Sequence, residues 1–501
     1  MLQRKSPFAS VGLLVFITCC CTFAGVYFVA PDGDDDWAGT KAAPLASVRH
    51  AHDKASPGDT IFLRGGTYYP TATTRFTRNG SADGWFCLKA WPGDERPVID
   101  GSKAAEDTDI WDISANYWVF EGPLLLTNGQ KGGIQLYAVN HVRLSGIEVS
   151  YSGWTCEHGG SGIRGWYCRN VELRNCDSHH NANHLPENDP ANQYQHGDGY
   201  RFCNNGPGNR LVGCRAWRNT DDNFDFINTL DSAGFMASVE VDSCWSVFAG
   251  YDDARGSISG TPNREFFGQG FKCGYARHTY FRHTLRRCVS AGNRNSGFLI
   301  NGGPFTLLNC SAYGNAKGFN DNAEKNNVTP QPHTIRNCLS FANRMGAGER
   351  LPNTTNLSGN SWQTSTGVTV TEEDFAGLEV SQLLAPRKPD GGLPDVDFLK
   401  LKPAGDLIDA GVKADLAFEG DAPDVGAFEY SPPTQTHVPG SRLVPPASEH
   451  RGSARIFDVC GRAVASLVPG APVRNLRLPV GVYSIRCSSS GPATTTIFVS
   501  R

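Results

Sequence analysis

"TLRRCVSAGNRNSGFLINGGPFTLLNCSAYGNAKGFND", residues 284–321, runs through the same pattern twice. A short strand leads into a cysteine, and the stretch after the cysteine ends in asparagine. A second strand then follows, with phenylalanine at its third position. Cys288 and Cys310 lie 22 residues apart (310 − 288 = 22). The pattern recurs outward as "VELRNCDSHHN" at Cys176, "RLVGCRAWRN" at Cys214, "VEVDSCWSVFAG" at Cys244 and "TIRNCLSFAN" at Cys338. Longer intervals between some copies leave room for inserted loops. A repeat of one short strand and an Asn-rich turn marks a solenoid, and the alternation of residue types excludes long helices.

The second strand aligns across "DGYRF", "DNFDF", "QGFKC", "SGFLI" and "KGFND", which begin at Asp198, Asp222, Gln269, Ser296 and Lys317. Their third residues, Tyr200, Phe224, Phe271, Phe298 and Phe319, form an inward aromatic column. The fifth, Phe202, Phe226, Cys273, Ile300 and Asp321, points mostly inward, and the fourth points out because strand side chains alternate. Parallel strands stacked about 4.8 Å apart along a coiled chain make an all-β parallel β-helix. The cysteines then read as small buried fillers rather than redox or metal groups.

The remaining chain fits this solenoid. "PLASVRHAHDKASPGD", from Pro44, carries Leu45, Val48 and Ala51 at helical spacing and reads as a short N-terminal capping helix. "KPAGDLIDAG" and "PDVGAFEY" read as irregular last coils. Residues 431–453 are a Pro- and Ser-rich linker. Residues 454–501 turn to short strands and read as a small β-sandwich-like domain. The β-helix is therefore expected over 26–430. Residues 1–25 read as a secretion signal peptide, with Arg4 and Lys5, an apolar run Val11–Ile17 and small residues at Ala24 and Gly25. That run is too short to span a bilayer. A secreted or cell-surface, non-transmembrane monomer is expected. The net charge of −4 on 501 residues is too mild for a nucleic-acid partner. Thirteen of the 16 cysteines lie past the signal, an odd number that argues against a complete disulfide framework.

The chemistry concentrates in "RNTDDNFDF", residues 218–226. Alone, its aspartates could be the acid and base of a glycoside hydrolase, a calcium cage or a solvated turn. Coil arithmetic brings in a fourth carboxylate, because Asp198 precedes Asp221 by 23 residues (221 − 198 = 23), about one turn. Asp198, Asp221, Asp222 and Asp225 then converge. Four like charges require protonation or a cation, and an all-oxygen set suits Ca²⁺, with the Asn223 carbonyl and water completing it. Lys272 occupies the Asp225 column one coil later. Beside a bound dication its neutral amine is favoured, and a neutral amine is a base.

With these residues in place the chain resembles polysaccharide lyase family 9 from about Tyr27 to Tyr430, most specifically in "HGDGYRF", "NTDDNFDF" and "GFKCG". The resemblance implies a right-handed β-helix of about ten coils and calcium held by the four aspartates with the Asn223 carbonyl. It also implies a calcium-dependent pectate lyase with Lys272 as the base. The reaction would be β-elimination on polygalacturonate, the acidic plant cell-wall polymer, leaving 4,5-unsaturated ends. Arg201, Arg218 and Arg277 are candidate substrate-binding residues that offset the acidic charge. The insertion "GYDDARGSISGTPNREFF" between Asp225 and Lys272 departs from the family. The tail, with "RIFDVCGRAV" and "LPVGVYSIR", resembles type IX secretion sorting domains and implies contact with that machinery. The alternatives are a β-helical hydrolase of the polygalacturonase type and a non-catalytic carbohydrate-binding adhesin. A zinc site from His179, His180, His184 and His196 is disfavoured, because adjacent histidines in a strand point apart.

Overall fold

The computed structural model describes residues 24–431 except 154, 156–158, 184–194, 228–237, 253–255, 258–266, 275–281, 302, 323–330, 347–350 and 404. Beyond these it describes four strands between 454 and 499. Nearly all of the expected signal and linker, together with Arg277, His184 and most of the insertion, lies outside the described residues.

One coil explains the repeat. Strand Arg169–Arg174 ends at Asn175, whose φ of 52° turns the chain. Cys176 follows, then strand Asp177–His179 and a second left-handed residue, His180, at φ 54°. The coil closes with strand Tyr200–Cys203. The residue before each of the six repeat cysteines is left-handed: Asn175, Gly213, Ser243, Arg287, Asn309 and Asn337. That conformation costs most L side chains roughly 1–2 kcal/mol and is cheaper for Gly and Asn, which accounts for the "NC" and "GC" pairs. Past the corner the cysteine side chain enters the core. Cys214 and Cys244 set Sγ 3.5 Å from Leu173 O and Leu211 O of the preceding coil, leaving no room for a larger group. All six are free and fully buried, as the filler reading expects. Cys87 is disulfide-bonded.

The first two strands of the coils merge into a parallel twenty-stranded sheet, and the third builds a parallel nine-stranded sheet from Thr74–Phe76 to Lys317–Asp321. The register pairs Tyr200, Phe224, Phe271, Phe298 and Phe319 in one column. Their rings stack at centroid distances of 4.9, 4.5, 5.1 and 4.8 Å. Each buried ring contributes roughly 1.5–3 kcal/mol of transfer free energy. The fold is the parallel β-helix read from the repeat.

The capping helix is Val48–Lys54. It starts three residues after Leu45 because Ser47 caps it, accepting the His50 amide, and it buries Val48 and Ala51. The C-terminal stretch differs from expectation. Phe375, Leu383, Phe398, Leu407 and Val425 pack against Trp245, Val247, Val289, Ala291 and Leu339 as a second core. The stretch thus lies along the outside of several coils instead of continuing the stack. Strands Ala454–Asp458, Ala463–Leu467, Gly481–Cys487 and Thr494–Val499 form one four-stranded antiparallel sheet. Among the described residues this tail has a single sheet. No helix among them is long and apolar enough to cross a membrane.

Candidate active site

The outer face of the nine-stranded sheet carries the predicted outward column. Register pairs Gln135 with Arg164, then Arg201, Asp225, Lys272, Leu299 and Asn320 in successive strands. Asp198 and Asp222 each lie two residues before their column aromatic, at the same corner. Their alignment is therefore 24 residues (222 − 198 = 24), one more than the coil arithmetic assumed. Asp221 sits one position earlier, where its Oδ2 accepts the His196 amide at 2.8 Å.

The carboxylates meet as two overlapping groups. Oxygens of Asp198, Asp222 and Asp225 lie within 4.8 Å of one another, as do ligand atoms of His196, Asp198 and Asp221. All four aspartates are buried. Main-chain and hydroxyl donors hold part of the set: the Gln269 amide donates to Asp222 Oδ1 at 2.8 Å, the Asp222 amide to Asp198 Oδ1 at 3.2 Å, and Ser161 Oγ to Asp198 Oδ2 at 3.3 Å. Asp222 Oδ2 and Asp225 Oδ1 have no hydrogen bond. Lys272 Nζ approaches them at 3.0 and 3.4 Å without hydrogen-bond alignment.

Burial, reinforced by Asp225 and Asp222, pushes the Asp198 carboxyl up to about 8. Burial raises Asp222 to about 6 despite the opposing Lys272 charge. Asp221 is also raised, by burial and by Asp222 and Asp198. Burial alone would lower Lys272, yet the four carboxylates outweigh it and hold the ammonium well above its usual range. The neutral amine expected from the sequence therefore requires that the acidic charge be offset first. Buried, all-oxygen, under-satisfied carboxylates fit a hard divalent cation.

The Asn223 carbonyl accepts the Tyr200 amide at 2.9 Å, so one of its lone pairs belongs to the ladder between coils. Its side chain turns inward. Arg201 lies 3.9 Å from Asp198 and 3.8 Å from Asp225, with its guanidinium 5.9 Å from the Trp166 ring centroid. Arg218 is the second left-handed turn residue of its coil, after Gly213, and covers Phe248 at 5.7 Å. Of the zinc candidates, His196 alone among the described histidines joins an aspartate group. His179 and His180 do not point apart. The left-handed His180 breaks the alternation and brings their Nδ1 atoms to 2.5 Å, while His179 stacks on Trp217 at 4.0 Å and faces Glu148 at 3.2 Å. Sequence reasoning missed Ser161, which occupies the Asp198 position one coil earlier, and the donor amides of Gln269 and His196. Ser161 was discoverable by extending the aligned column back one coil. The amide donors carry no side-chain signal.

Residues 27–329 match the family model of the Pel9A-like right-handed β-helix region. The chain belongs to this family. Pectate lyase L of Dickeya dadantii (strain 3937) is 29% identical over 428 residues, covering 81% of this chain and 90% of that protein. Pectate lyase PEL9 of Emericella nidulans is 30% identical over 408 residues, covering 74% and 91%. The crystal structure of pectate lyase Pel9A aligns with a TM-score of 0.67 at 26% identity, over 81% of this chain and 96% of that one. A rhamnogalacturonan lyase shares the fold, with a TM-score of 0.59 at 21% identity. Membership in the Pel9A-like family makes the helix right-handed.

Proposed function

We propose that this polysaccharide lyase is a calcium-dependent pectate lyase that cleaves polygalacturonate by β-elimination. One observation carries the reading: Lys272 pairs in register with Asp225, and its Nζ faces buried carboxylate oxygens of Asp222 and Asp225 that lack hydrogen bonds. An inverting hydrolase needs two carboxyls roughly 6.5–9.5 Å apart with water between them. Here three carboxylates crowd within 4.8 Å, and no observation favours the hydrolase or the adhesin.

Asp198, Asp221, Asp222 and Asp225 would hold the ion, with the Asn223 carbonyl a further candidate ligand. Bound calcium supplies positive charge against the C6 carboxylate of a galacturonate unit, which acidifies the C5 proton. Lys272 takes that proton as its neutral amine, the C5–H electrons form the 4,5 double bond, and the C4–O bond breaks with its electron pair leaving on the glycosidic oxygen, which is protonated from solvent. Arg201, fixed beside Asp198 and Asp225, sets a permanent positive charge next to the cage. Arg218 and Arg277 remain candidates for polymer contact.

The signal-like N-terminus supports export to act outside the cell on pectin; a monomer remains the proposed state. The antiparallel tail sheet is the candidate sorting module. Digestion of polygalacturonate with and without added calcium tests the function, read at the ultraviolet absorbance of the unsaturated product. Absorbance that rises with calcium and vanishes with chelator is expected. Reducing ends released without absorbance would mean hydrolysis and would sink the reading.

A further inference from the structure

An asparagine ladder lines the turn after the second strand of each coil. Asn181, Asn293 and Asn343 donate Nδ2 protons to the serines three residues earlier, Ser178, Ser290 and Ser340, at 3.1, 2.9 and 2.9 Å. Along the axis, the amides of Asn181, Asn293 and Asn315 donate to Oδ1 of the next coil's Asn219, Asn315 and Asn343 at 3.1, 3.0 and 2.9 Å. One rung differs. Register aligns Ala249 with Asn219 and Asn293; its main-chain amide still donates to Asn293 Oδ1 at 2.8 Å, but the rung has no side-chain amide.

A glycine column faces this ladder, one residue before the inward column residues Ile163, Tyr200, Phe271, Phe298 and Phe319: Gly162, Gly199, Gly270, Gly297 and Gly318. A Cβ at Gly162, Gly199, Gly270 or Gly297 would lie 2.6, 2.8, 2.8 or 2.8 Å from Nδ2 of the next ladder asparagine, Asn181, Asn219, Asn293 or Asn315. The turn serine crowds the same space, with Ser178 and Ser290 Oγ 2.1 and 2.0 Å from a Cβ at Gly162 and Gly270, so serine and asparagine together leave little room for a side chain on the strand. Facing Ala249 the arrangement reverses, and the glycine position on the preceding coil's strand holds Asn223. Asn223 is fully buried. Its Nδ2 donates to Ser246 Oγ at 2.8 Å and to Val247 O at 3.1 Å, and its Oδ1 accepts from Asn219 Nδ2 at 2.8 Å. Ser246 stands three residues before Ala249, as the ladder serines stand before their asparagines. The missing amide has moved from the turn onto the strand.

The exchange occurs in the coil that carries Asp221, Asp222 and Asp225. We propose that Asn223 is a positioning residue for the cation cage, its buried amide anchoring the aspartate-bearing segment to the core from within. Mutual repulsion among the carboxylates drives that segment outward, and three interior hydrogen bonds oppose it. In the other coils the amide sits in the turn and ties the strand only indirectly. The inference rests on the calcium reading above.

The test moves the amide back. Asn223→Gly leaves the rung empty, and Asn223→Gly with Ala249→Asn recreates the arrangement of the other coils. Calcium chloride affinity of the full chain is measured by titration calorimetry, and thermal unfolding is followed in chelator. The double variant is expected to regain wild-type melting in chelator while calcium affinity stays weaker by about tenfold or more, the range for residues that orient metal ligands. Recovery of affinity together with melting overturns the proposal, because the amide would then act on stability alone. If the double variant does not fold, Asn223→Ala decides: weakened calcium affinity supports the anchor, and unchanged affinity overturns it. A wild-type chain that binds no calcium removes the underlying reading instead, which separates the two failures.

Discussion

In the proposed reaction Lys272 and the aspartates divide the work of the site by charge. The amine can act as a base only when the carboxylates around it are neutralised, because they otherwise hold it protonated. Lys272→Ala is expected to lower kcat about 10²–10⁴-fold, the usual contribution of a general base. Calcium affinity in the same variant, measured by calorimetry, should persist or rise, since a competing cation has been removed. Activity is expected to increase toward alkaline pH, and a rate flat from acid to neutral would argue against the lysine. The aspartates also set a stability signature. Asp198 titrates near about 8 in the folded chain without metal, against a usual carboxyl value of 3.8. A folded value raised above the unfolded one favours the folded state at low pH. That benefit is lost as pH climbs from about 4 through about 8. In chelator the melting temperature should therefore fall between pH 7 and 9, and calcium at pH 9 should restore it. These residues were legible because carboxylates and a lysine repeat at coil spacing. The charge state of Lys272 was not, because it depends on how many carboxylates face the amine in space.

Strands of three to five residues support the site, and each depends on its neighbours in the stack. Phe271–Cys273 holds Lys272 between two inward residues, with Phe271 stacked on Phe224 and Phe298. Phe271→Ala should cost about 3–5 kcal/mol, as expected for an aromatic removed from a close-packed core. Its activity should fall more than its melting temperature alone predicts, because Lys272 loses its register. The inward histidine His283 gives a separate acid signature. Burial lowers it to about 3, and its Nδ1 accepts the Val239 amide at 3.0 Å. A depressed folded value contributes stability that is present above about 6.5 and lost as pH falls toward about 3. His283→Phe keeps the stack on Phe305 but removes the titration. It should lower stability at pH 7, where the Val239 amide loses its acceptor, and flatten the decline below pH 6.5 in thermal melts. The alternation that defined these strands was readable from sequence. The left-handed corners at Ser243 and Arg287 were not, because neither residue type favours them.

At the scale of the molecule, the coils are tied together by a segment distant in sequence. Buried Asp177 receives Arg215 at 2.8 Å and Arg387 at 2.7 Å, and Arg215 also donates to the carbonyls of Leu383 and Ala385 at 3.2 and 2.7 Å. Asp177→Ala would leave two guanidiniums buried without their carboxylate, at a cost of about 3–5 kcal/mol. Denaturant unfolding should show this loss, and release of segment 383–391 should appear as faster amide hydrogen exchange there. Nothing in "LLAPRKPDGG" announces such a clamp, since its partners lie some 170–210 residues away. Repetition along the chain determined most of the rest: the 22-residue spacing, the aromatic and cysteine columns, and the acidic cluster opposite a lysine. A solenoid stacks each coil on the one before, so sequence separation converts directly into distance and local reading succeeds. Tertiary structure alone decided what the period does not encode. The C-terminal stretch flanks the coils, His179 and His180 meet, and a buried amide at Asn223 replaces the one Ala249 lacks. The first two rest on contacts whose separation is not one turn; at Asn223 the partners Ser246 and Val247 lie one turn away, and burial with hydrogen-bond satisfaction overrides the repeat's residue pattern.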